Sequence, residues 1–375
     1  MTSFKKKIIS ALLTLLLLAL LVITFLVSPW GQPLSKALLL VPEVSPDFPI
    51  KPLAYLTKEP KLTEVKIPTD YGEIGADLYR PNDDKKHPGI VVALGTEVTR
   101  KNGELIPFAR SLARLGYTVL IPDLPDFIAG YVWTNSSEVL ISSYEFLENQ
   151  SFVESEKIGL LGFCVGGSQS IVAAEDERIS NDVSFVVALT PYYNFFTLSE
   201  EILAGKVAGE YGIDLTIKSL QKGFINYITD QKEKQLLSSH FLEEKEISNQ
   251  EIEELSPEAK SIYLFLSNKD NSKFPELWGA IPAGGKDLLA RLSPDTKISD
   301  LKAKLFIVYD EGYTYIPESQ ARHWKDISSS NKNVSVTVIQ SLQHVKIKPR
   351  LPRWELTKLV FQLSGFIYKV LYATS

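Results

Sequence analysis

The stretch "IGLLGFCVGGSQS" (Ile158–Ser170) decides the fold of this chain. Apolar residues typical of a buried strand lead into Gly162, Cys164 and Gly166 at alternate positions, and a helical pattern follows. A strand, a sharp turn and a helix in this order form a nucleophile elbow, in which the two glycines leave room for the bend and the residue between them is exposed. Cys164 is therefore a candidate nucleophile. The alternative is a small buried residue, since free cysteine is often part of a core.

The segments around that turn alternate between strand and helix patterns. Apolar runs predict buried strands at residues 89–95, 117–125, 183–191 and 304–310. Strands that are apolar on both faces and separated by helices predict a mostly parallel sheet, here of eight strands, flanked by helices. The alternation breaks over residues 196–298, where a charged, helix-rich pattern predicts a helical lid insertion. The core is thus predicted in two parts, 61–195 and 299–375.

The N-terminus predicts a membrane anchor. After three lysines at positions 5 to 7, the uncharged residues 8–27 match the length of a helix that spans a bilayer. A cleaved signal peptide and a buried core helix are the alternatives, but the segment is long for a signal peptide and no small-residue cleavage site follows it. The lysines predict a cytoplasmic N-terminus, with the rest of the chain outside the cytoplasm. Residues 1–30 are thus predicted as cytoplasmic stub and transmembrane signal-anchor, and the proline-containing residues 31–60 as a linker that packs irregularly.

Composition and charge narrow the classes of function. The 375 residues carry a formal net charge of −5, without the basic surface that nucleic-acid binding needs, so no nucleic-acid partner is expected. One cysteine forms no internal disulfide, and no cysteine or histidine pattern has zinc spacing. The glycine-rich "GFCVGG" lacks the lysine of a phosphate-binding loop. We therefore expect neither a metal nor another cofactor.

The strand order around "GFCVGG" resembles that of the α/β-hydrolase fold family, and the cysteine resembles its dienelactone-hydrolase-like branch. The resemblance covers roughly residues 61–195 and 299–375, leaving the anchor and the insertion outside it. It implies a hydrolase that cleaves a small carboxylic ester, lactone or thioester by acyl transfer to Cys164. The position of Cys164 at a helix N-terminus predicts a lowered thiol pKa. Backbone N–H groups of Val165 and of Thr96, in the loop after the strand at 89–95, are the expected oxyanion donors.

Such an enzyme needs a base, and His344 is the candidate. It lies in "LQHVKIKP" after a predicted strand, where members of the family carry the catalytic histidine, and it would accept the thiol proton and later protonate the leaving group. His87 precedes the first core strand, His240 lies in the insertion, and His323 lies inside a predicted helix. The alternative is an exposed loop histidine without a role.

The expected acid is missing from its usual place. Relatives carry an aspartate four residues before the proline that corresponds to Pro317, and this chain has Tyr313 there. Asp310 and Glu311 are candidate substitutes, with Glu311 the better placed, and Glu97 is a weaker one. A thiol depends on the acid less than a hydroxyl does, so a pair of Cys164 and His344 is chemically sound. Tyr313 also supports the alternative that the protein is catalytically inactive and binds a ligand or partner at the membrane surface.

Overall fold

The computed structural model describes residues 3–45, 48–206, 210–310, 312 and 315–374. Eight of its strands form one sheet, and two short strands form a separate hairpin. The strands are, in chain order, β1 (Lys61–Thr69), β2 (Gly72–Arg80), β3 (His87–Ala93), β4 (Thr118–Pro122), β5 (Val153–Phe163), β6 (Phe185–Leu189), β7 (Lys304–Asp310), β8 (Val334–Ile339), β9 (Leu342–Gln343) and β10 (Lys346–Ile347).

The sheet is mostly parallel. Its strand order is β1-β2-β4-β3-β5-β6-β7-β8. The pairs β1/β2 and β2/β4 are antiparallel, and every pair from β4 to β8 is parallel. The predicted eight-stranded, mostly parallel sheet is confirmed. Because the carboxyl ends of parallel strands meet at one edge, the residues that follow β3, β5, β6 and β7 lie side by side.

Helices cover both faces of the sheet. They are, in chain order, α1 (Ser3–Val27), α2 (Gln32–Val44), α3 (Pro52–Leu56), α4 (Leu105–Arg114), α5 (Pro125–Ile128), α6 (Thr134–Glu148), α7 (Val165–Ala174), α8 (Phe195–Leu203), α9 (Glu210–Tyr227), α10 (Gln231–Phe241), α11 (Asn249–Glu254), α12 (Pro257–Ser267), α13 (Phe274–Ala280), α14 (Ala283–Arg291), α15 (Glu318–Ser330) and α16 (Arg353–Ala373). Short 3-10 helices lie at residues 271–273, 294–296 and 298–300.

Alternate residues of the central strands belong to two separate hydrophobic cores, one on each face of the sheet. Val91 packs on one face of the sheet with residues of α6, α7 and α15, whereas its neighbours Ile90 and Val92 pack on the other face with α2, α3, α4 and α16. This alternation follows from the two-residue period of a strand. It explains why the central strands read as unbroken apolar runs in the sequence.

The segment between β6 and β7 is helical, as its sequence pattern predicts. Helices α8 to α14 lie in this insertion. Aromatic side chains such as Phe224 and Phe265 join the core shared with α6, α7 and α15. The insertion therefore packs on that face of the sheet. Its role as a lid stays a prediction.

The stretch expected to be an irregular linker contains helix α2, which corrects the prediction for residues 31–60. Its residues Ala37, Leu40 and Val41 are buried with helical spacing. The two prolines that obscure this pattern stand at its ends. Pro33 lies in the first turn, where no N–H donor is needed, and Pro42 lies near the last residue.

Helix α1 stands out by its exposure. Its residues Lys7–Val27 are long and apolar enough to cross a membrane, and none of that span is buried. A buried core helix, one of the alternatives for this segment, is therefore excluded. A signal sequence near the N-terminus can satisfy the same criteria of length and hydropathy as a membrane anchor, so the exposure of α1 agrees with either.

Candidate active site

The turn between β5 and α7 leaves no space for side chains at its two flanking glycines. A Cβ atom added to Gly162 would lie 2.3 Å from the carbonyl oxygen of Gly166, and one added to Gly166 would lie 2.3 Å from that of Leu94. Contacts this short do not occur between carbon and oxygen atoms that are not bonded, so only glycine fits at either position. The backbone thus makes the close turn that the sequence pattern predicts.

Cys164 occupies the bend itself. Its backbone is left-handed, with φ 56° and ψ −128°, and it caps the N-terminus of α7. The backbone is held there from both sides. The N–H of Cys164 donates to the carbonyl of Leu189 at 2.8 Å, and its carbonyl accepts from the N–H of Gly167 at 2.9 Å. The side chain is partly exposed.

The thiol does not have the lowered pKa that its position at a helix N-terminus suggested. The surrounding protein disfavours the thiolate and raises the pKa of Cys164 to about 12, while a hydrogen bond from the Val165 N–H opposes this shift only in part. The prediction of a lowered pKa is therefore wrong. A reaction at this sulfur requires a base that removes the proton during the attack.

His344 lies at the tip of the hairpin formed by β9 and β10. Its φ is 57°. The hairpin loop consists of two residues, since Gln343 on β9 pairs with Lys346 on β10. The Tyr315 ring lies 4.3 Å from the imidazole. Burial and, after it, the charge of the nearby Lys346 lower the pKa of His344 to about 4. The imidazole is therefore neutral at pH 7, which is the form that accepts a proton.

The polar partner of His344 is a residue that the sequence analysis missed. Its Nδ1 lies 3.3 Å from the Oγ1 atom of Thr190. Thr190 directly follows β6, is buried, and has φ 51°. A β-branched residue in the left-handed region is a genuine outlier. The signal was present in the sequence, since Thr190 is the first polar residue after the apolar run of a parallel strand next to β5.

Cys164 and His344 both contact the two-residue segment Leu189–Thr190. Cys164 bonds the carbonyl of Leu189, and His344 contacts the side chain of Thr190, the next residue. Among the described residues, no hydrogen bond joins the thiol to the imidazole. Direct proton transfer between them therefore requires a change in the position of at least one of the two side chains.

The candidate acids do not pair with the imidazole in the described part of the chain. Asp310 is the last residue of β7 and is buried, and the structure shows no hydrogen bond or ion pair between it and His344. Glu311 and Tyr313 lie outside the described residues, so the role of Glu311 stays a prediction. The side chain of Glu97 points to the insertion instead, with its Oε1 atom 3.4 Å from Nζ of Lys222 on α9.

The loop after β3 approaches the cysteine closely. A Cβ atom on Gly95 would lie 3.7 Å from the Cβ atom of Cys164. Thr96 follows and is partly exposed. The next residue, Glu97, has φ 62° and donates its N–H to the carbonyl of Phe127 at 2.7 Å. The backbone of Thr96 is thus held between fixed neighbours beside Cys164.

A cluster of charges anchors the same loop to the antiparallel edge of the sheet. The Nε atom of Arg100 lies 3.0 Å from Oδ1 of Asp77, and its guanidinium also pairs with Asp123. Lys101 lies 2.9 Å from the same Asp77 carboxylate, which is 1% exposed. A buried carboxylate is stable only while cations are paired with it. Asp77 therefore holds Arg100 and Lys101, and with them this part of the loop, in one position.

Backbone strain is concentrated at this edge of the sheet. Of the six non-glycine residues with positive φ in the described chain, four are Glu97, Cys164, Thr190 and His344. Each such residue costs about 1–3 kcal/mol. Strain of this kind gathers at functional sites, where surrounding structure holds it in place. Three of the four, Glu97, Thr190 and His344, lie outside the glycine motif and yet near Cys164, so the strain is not confined to the turn.

The remaining features do not point to a bound metal or to a second reactive centre. In the described chain, no group of three or more histidine, cysteine, aspartate and glutamate side chains is placed to hold a metal ion. A polar cavity of about 270 Å³ lies between α8 and α15. It is lined by Thr197, Glu200, Glu201, Lys206, Asn271, Phe274, Ser319, Gln320 and His323, none of them a candidate site residue.

Comparison with known proteins finds the same esterase from two bacterial strains by sequence, and many solved structures by fold. No protein-family model matches the chain. It is 27% identical over 151 residues to the esterase FrsA of Vibrio vulnificus, a match that covers 38% of this chain. The match spans 34% of FrsA, so the two proteins share about a third of the relative's length.

Solved structures match over most of the chain. The acylaminoacyl peptidase of Pyrococcus horikoshii has a TM-score of 0.51 at 12% identity, covering 81% of this chain and 41% of that one. The dienelactone hydrolase of Anabaena variabilis has a TM-score of 0.42 at 12% identity, covering 82% and 97%. The first similarity identifies the fold, and the second is too low to assign a branch.

Proposed function

We propose that this chain, which has the α/β-hydrolase fold, is a membrane-anchored hydrolase that cleaves a carboxylic ester, lactone or thioester with Cys164 as nucleophile and His344 as base. One observation carries the proposal. The strained turn at Cys164 and the neutral imidazole of His344 both contact the 189–190 segment, at the sheet edge where this fold carries its catalytic residues. The sequence similarity to an esterase supports the same reaction class.

The chemistry follows from the two pKa shifts. The thiol of Cys164 is protonated at pH 7, so the neutral His344 takes its proton as sulfur attacks the carbonyl carbon. The N–H groups of Val165 and Thr96 stabilise the resulting oxyanion. The tetrahedral intermediate collapses to an acyl-thioester, and the protonated His344 donates its proton to the leaving oxygen or sulfur. Water, deprotonated by His344, then attacks the thioester, releases the acid and restores the thiol.

Thr190 takes the place of the acid in this scheme. The scheme assigns the proton to Nδ1 of His344, which donates it to the Thr190 hydroxyl 3.3 Å away, so the lone pair of Nε2 is free for the thiol proton. A hydroxyl fixes the ring and its tautomer without stabilising the imidazolium as a carboxylate does. A carboxylate at the end of β7 would supply that stabilisation. Glu311 is the first candidate for this role, and Asp310 is the second.

The N-terminal helix supports the proposed location at a membrane. No part of the span Lys7–Val27 is buried, and such apolar exposure is costly in water and favourable in lipid. The lysines that precede it favour a cytoplasmic N-terminus and a catalytic domain outside the cytoplasm. A cleaved signal sequence is the competing explanation, and the mass of the mature protein separates the two.

A catalytically inactive binding or scaffold protein is the second candidate. The raised pKa of Cys164 and the absence of a thiol–imidazole hydrogen bond in the described chain favour it. In that case the strained turn would be a remnant of the fold, and the insertion and cleft would bind a ligand or partner at the membrane surface.

Hydrolysis of p-nitrophenyl acetate by the full chain in detergent tests the proposal. We expect Cys164→Ala to abolish turnover and His344→Ala to slow it by about 100-fold, because general-base catalysis contributes that much. Melting temperatures of both variants serve as the folding control. Turnover that persists in Cys164→Ala would overturn the proposal. No turnover in the wild type, for this ester or for a matching lactone and thioester, would favour the binding protein.

A further inference from the structure

The most exposed apolar side chains outside α1 lie on neighbouring elements. The described large hydrophobic residues there that are more than 60% exposed are Trp30, Ile50, Tyr55, Leu56, Trp354 and Phe361. Leu38 on α2 and Tyr372 on α16 add 46% and 44% exposed side chains, whereas Leu62 on β1 and Tyr71 in the turn after it, at 46% and 54%, lie apart from them. We call the first eight of these residues the aromatic face. Soluble proteins scatter exposed apolar residues singly, so a concentration like this indicates an interaction surface.

The elements that carry the aromatic face form one continuous layer. Trp354, Phe361 and Tyr372 are spaced seven and eleven residues apart on α16, which are nearly two and three whole helical turns. They therefore lie along one side of that helix. Helix α16 packs beside α2. Lys51, just before α3, donates to the carbonyls of Pro42 and Ser45 at the end of α2.

This layer begins where the apolar helix ends. Helix α1 stops at Val27, and Trp30 follows three residues later. The ring of Trp30 lies 6.0 Å from that of Tyr372 at the end of α16. The connection is tight, because a Cβ atom on Gly31 would lie within 1.9 Å of the Phe25 carbonyl oxygen. The end of α1 thus fixes the position of the aromatic face.

We propose that the aromatic face lies in the headgroup layer of the bilayer that α1 spans. This inference rests on the proposed membrane anchoring and not on the proposed catalysis. Tryptophan and tyrosine are enriched at that depth because one end of the ring is apolar and the other polar. The exposed Arg353, Lys358 and Lys369 on α16 add attraction to anionic lipids, against the single acid Glu355.

A second copy of the chain is the competing occupant of this surface, but chain connectivity favours lipid. Trp30 is too close to the end of α1 to leave the interface when α1 is inserted. Because its ring contacts Tyr372, the end of α16 stays at the same depth. The catalytic domain is then fixed to the bilayer surface and does not move on a tether.

Depth measurements with a fluorescent label test the proposal on the full chain. In a Cys164→Ser background, NBD is attached to Phe361→Cys and to Tyr55→Cys, in nanodiscs of equal parts phosphatidylcholine and phosphatidylglycerol with one chain each. The control Gln250→Cys lies on α11, in the insertion on the opposite face of the sheet. Leu17→Cys lies at the middle of the apolar span of α1, so its insertion is measured with lipid that carries the spin label at the end of the acyl chain.

We expect blue-shifted emission at positions 361 and 55 and several-fold stronger quenching by headgroup-region spin-labelled lipid than at position 250. Quenching at position 17 with none at 361 and 55 would overturn the inference and leave the anchor intact. A blue shift at 361 without quenching would also overturn it, because another protein surface would cover the label. No quenching at position 17 would remove the anchor and the inference together. Ester hydrolysis, measured separately, is independent of all these outcomes.

Discussion

At the scale of single residues, the least expected partner in the site is Thr190. Its hydroxyl occupies the place beside His344 Nδ1 where relatives are expected to have a carboxylate. Burial of the imidazole, and after it the charge of the nearby Lys346, lower the pKa of His344 to about 4. The function of the pair can be tested at each partner separately.

Replacing Thr190 alters the orientation of His344 without altering the nucleophile. We expect Thr190→Val to lower kcat by about 10-fold with little change in KM, because valine keeps the β-branched shape and loses the hydrogen bond. Steady-state kinetics provide the measurement. Thr337→Val on β8 is the matched control. Equal kinetics for wild type and Thr190→Val would remove Thr190 from the site.

The pH dependence of turnover reports the protonation of His344. A base must be neutral, so the acidic limb of kcat/KM should have its midpoint near pH 4 and not near the ordinary value of about 6.5. Thr190→Asp should move this midpoint upward, because a carboxylate favours the imidazolium. A wild-type midpoint at 6.5 would show that His344 is exposed or is not the base.

Glu175 is a buried acid that directly follows α7. Burial and the nearby Asp295 and Asp300 raise its pKa to about 9, and Lys297 opposes the shift. In the unfolded chain the pKa is 4.5, so between pH 4.5 and 9 the folded state holds the proton that the unfolded state has lost. Its contribution to stability therefore decreases as pH rises through this window.

Replacing Glu175 by glutamine should remove this decrease of folding stability with pH. We expect Glu175→Gln to match the wild-type melting temperature near pH 5 and to exceed it by several degrees at pH 9, since glutamine does not ionise. Thermal unfolding across this range provides the measurement, with the exposed Glu177→Gln as control. A difference that is constant with pH would mean that Glu175 is ionised in the fold.

At the scale of elements, the pattern of strands and helices around Cys164 could be predicted from the sequence. Helix α2 and the contact of His344 with Thr190 could not. Buried parallel strands produce apolar runs that no other element of this length explains, so β3 to β7 were predictable. Helix α2 has prolines near both ends, which hide its buried stripe. The contact between Thr190 and His344 joins residues 154 positions apart, and only the fold brings them together.

The loop after β3, which contains Thr96, is anchored by the buried ion cluster of Asp77, Arg100 and Lys101. Arg100→Ala should destabilise the fold by about 3 kcal/mol, because Asp77 loses one of the two cations that compensate its burial. Kcat should fall as well if the loop carries an oxyanion donor. Urea unfolding and kinetics provide the measurements, and Lys66→Ala at the exposed pair with Glu73 is the control. A stability change no larger than that of the control would contradict the anchoring role.

At the scale of the whole molecule, α1 and α2 differ in what they contribute. No part of the apolar span of α1 is buried, whereas Ala37, Leu40 and Val41 of α2 belong to the packed interior. A chain that starts at Ser28 should keep a melting temperature close to that of the full chain. A chain that starts at Ile50 should lose about 5 kcal/mol, since buried apolar side chains contribute about 1.5–3 kcal/mol each.

Thermal unfolding of the two truncated chains tests this difference. Equal losses in both would mean that α1 supports the fold and that its exposure is not that of a membrane segment. Equal stability of both would mean that α2 is a dispensable linker after all, as its prolines suggested.

The four left-handed residues at the sheet edge also set a trade between stability and the side chains that this edge presents. Glycine adopts the left-handed region without strain, so glycine in place of Thr190, with φ 51°, would relieve the backbone strain there. The same change would remove the hydroxyl that lies beside Nδ1 of His344. Relaxing the backbone at this edge is therefore expected to stabilise the protein and to remove groups from the candidate site.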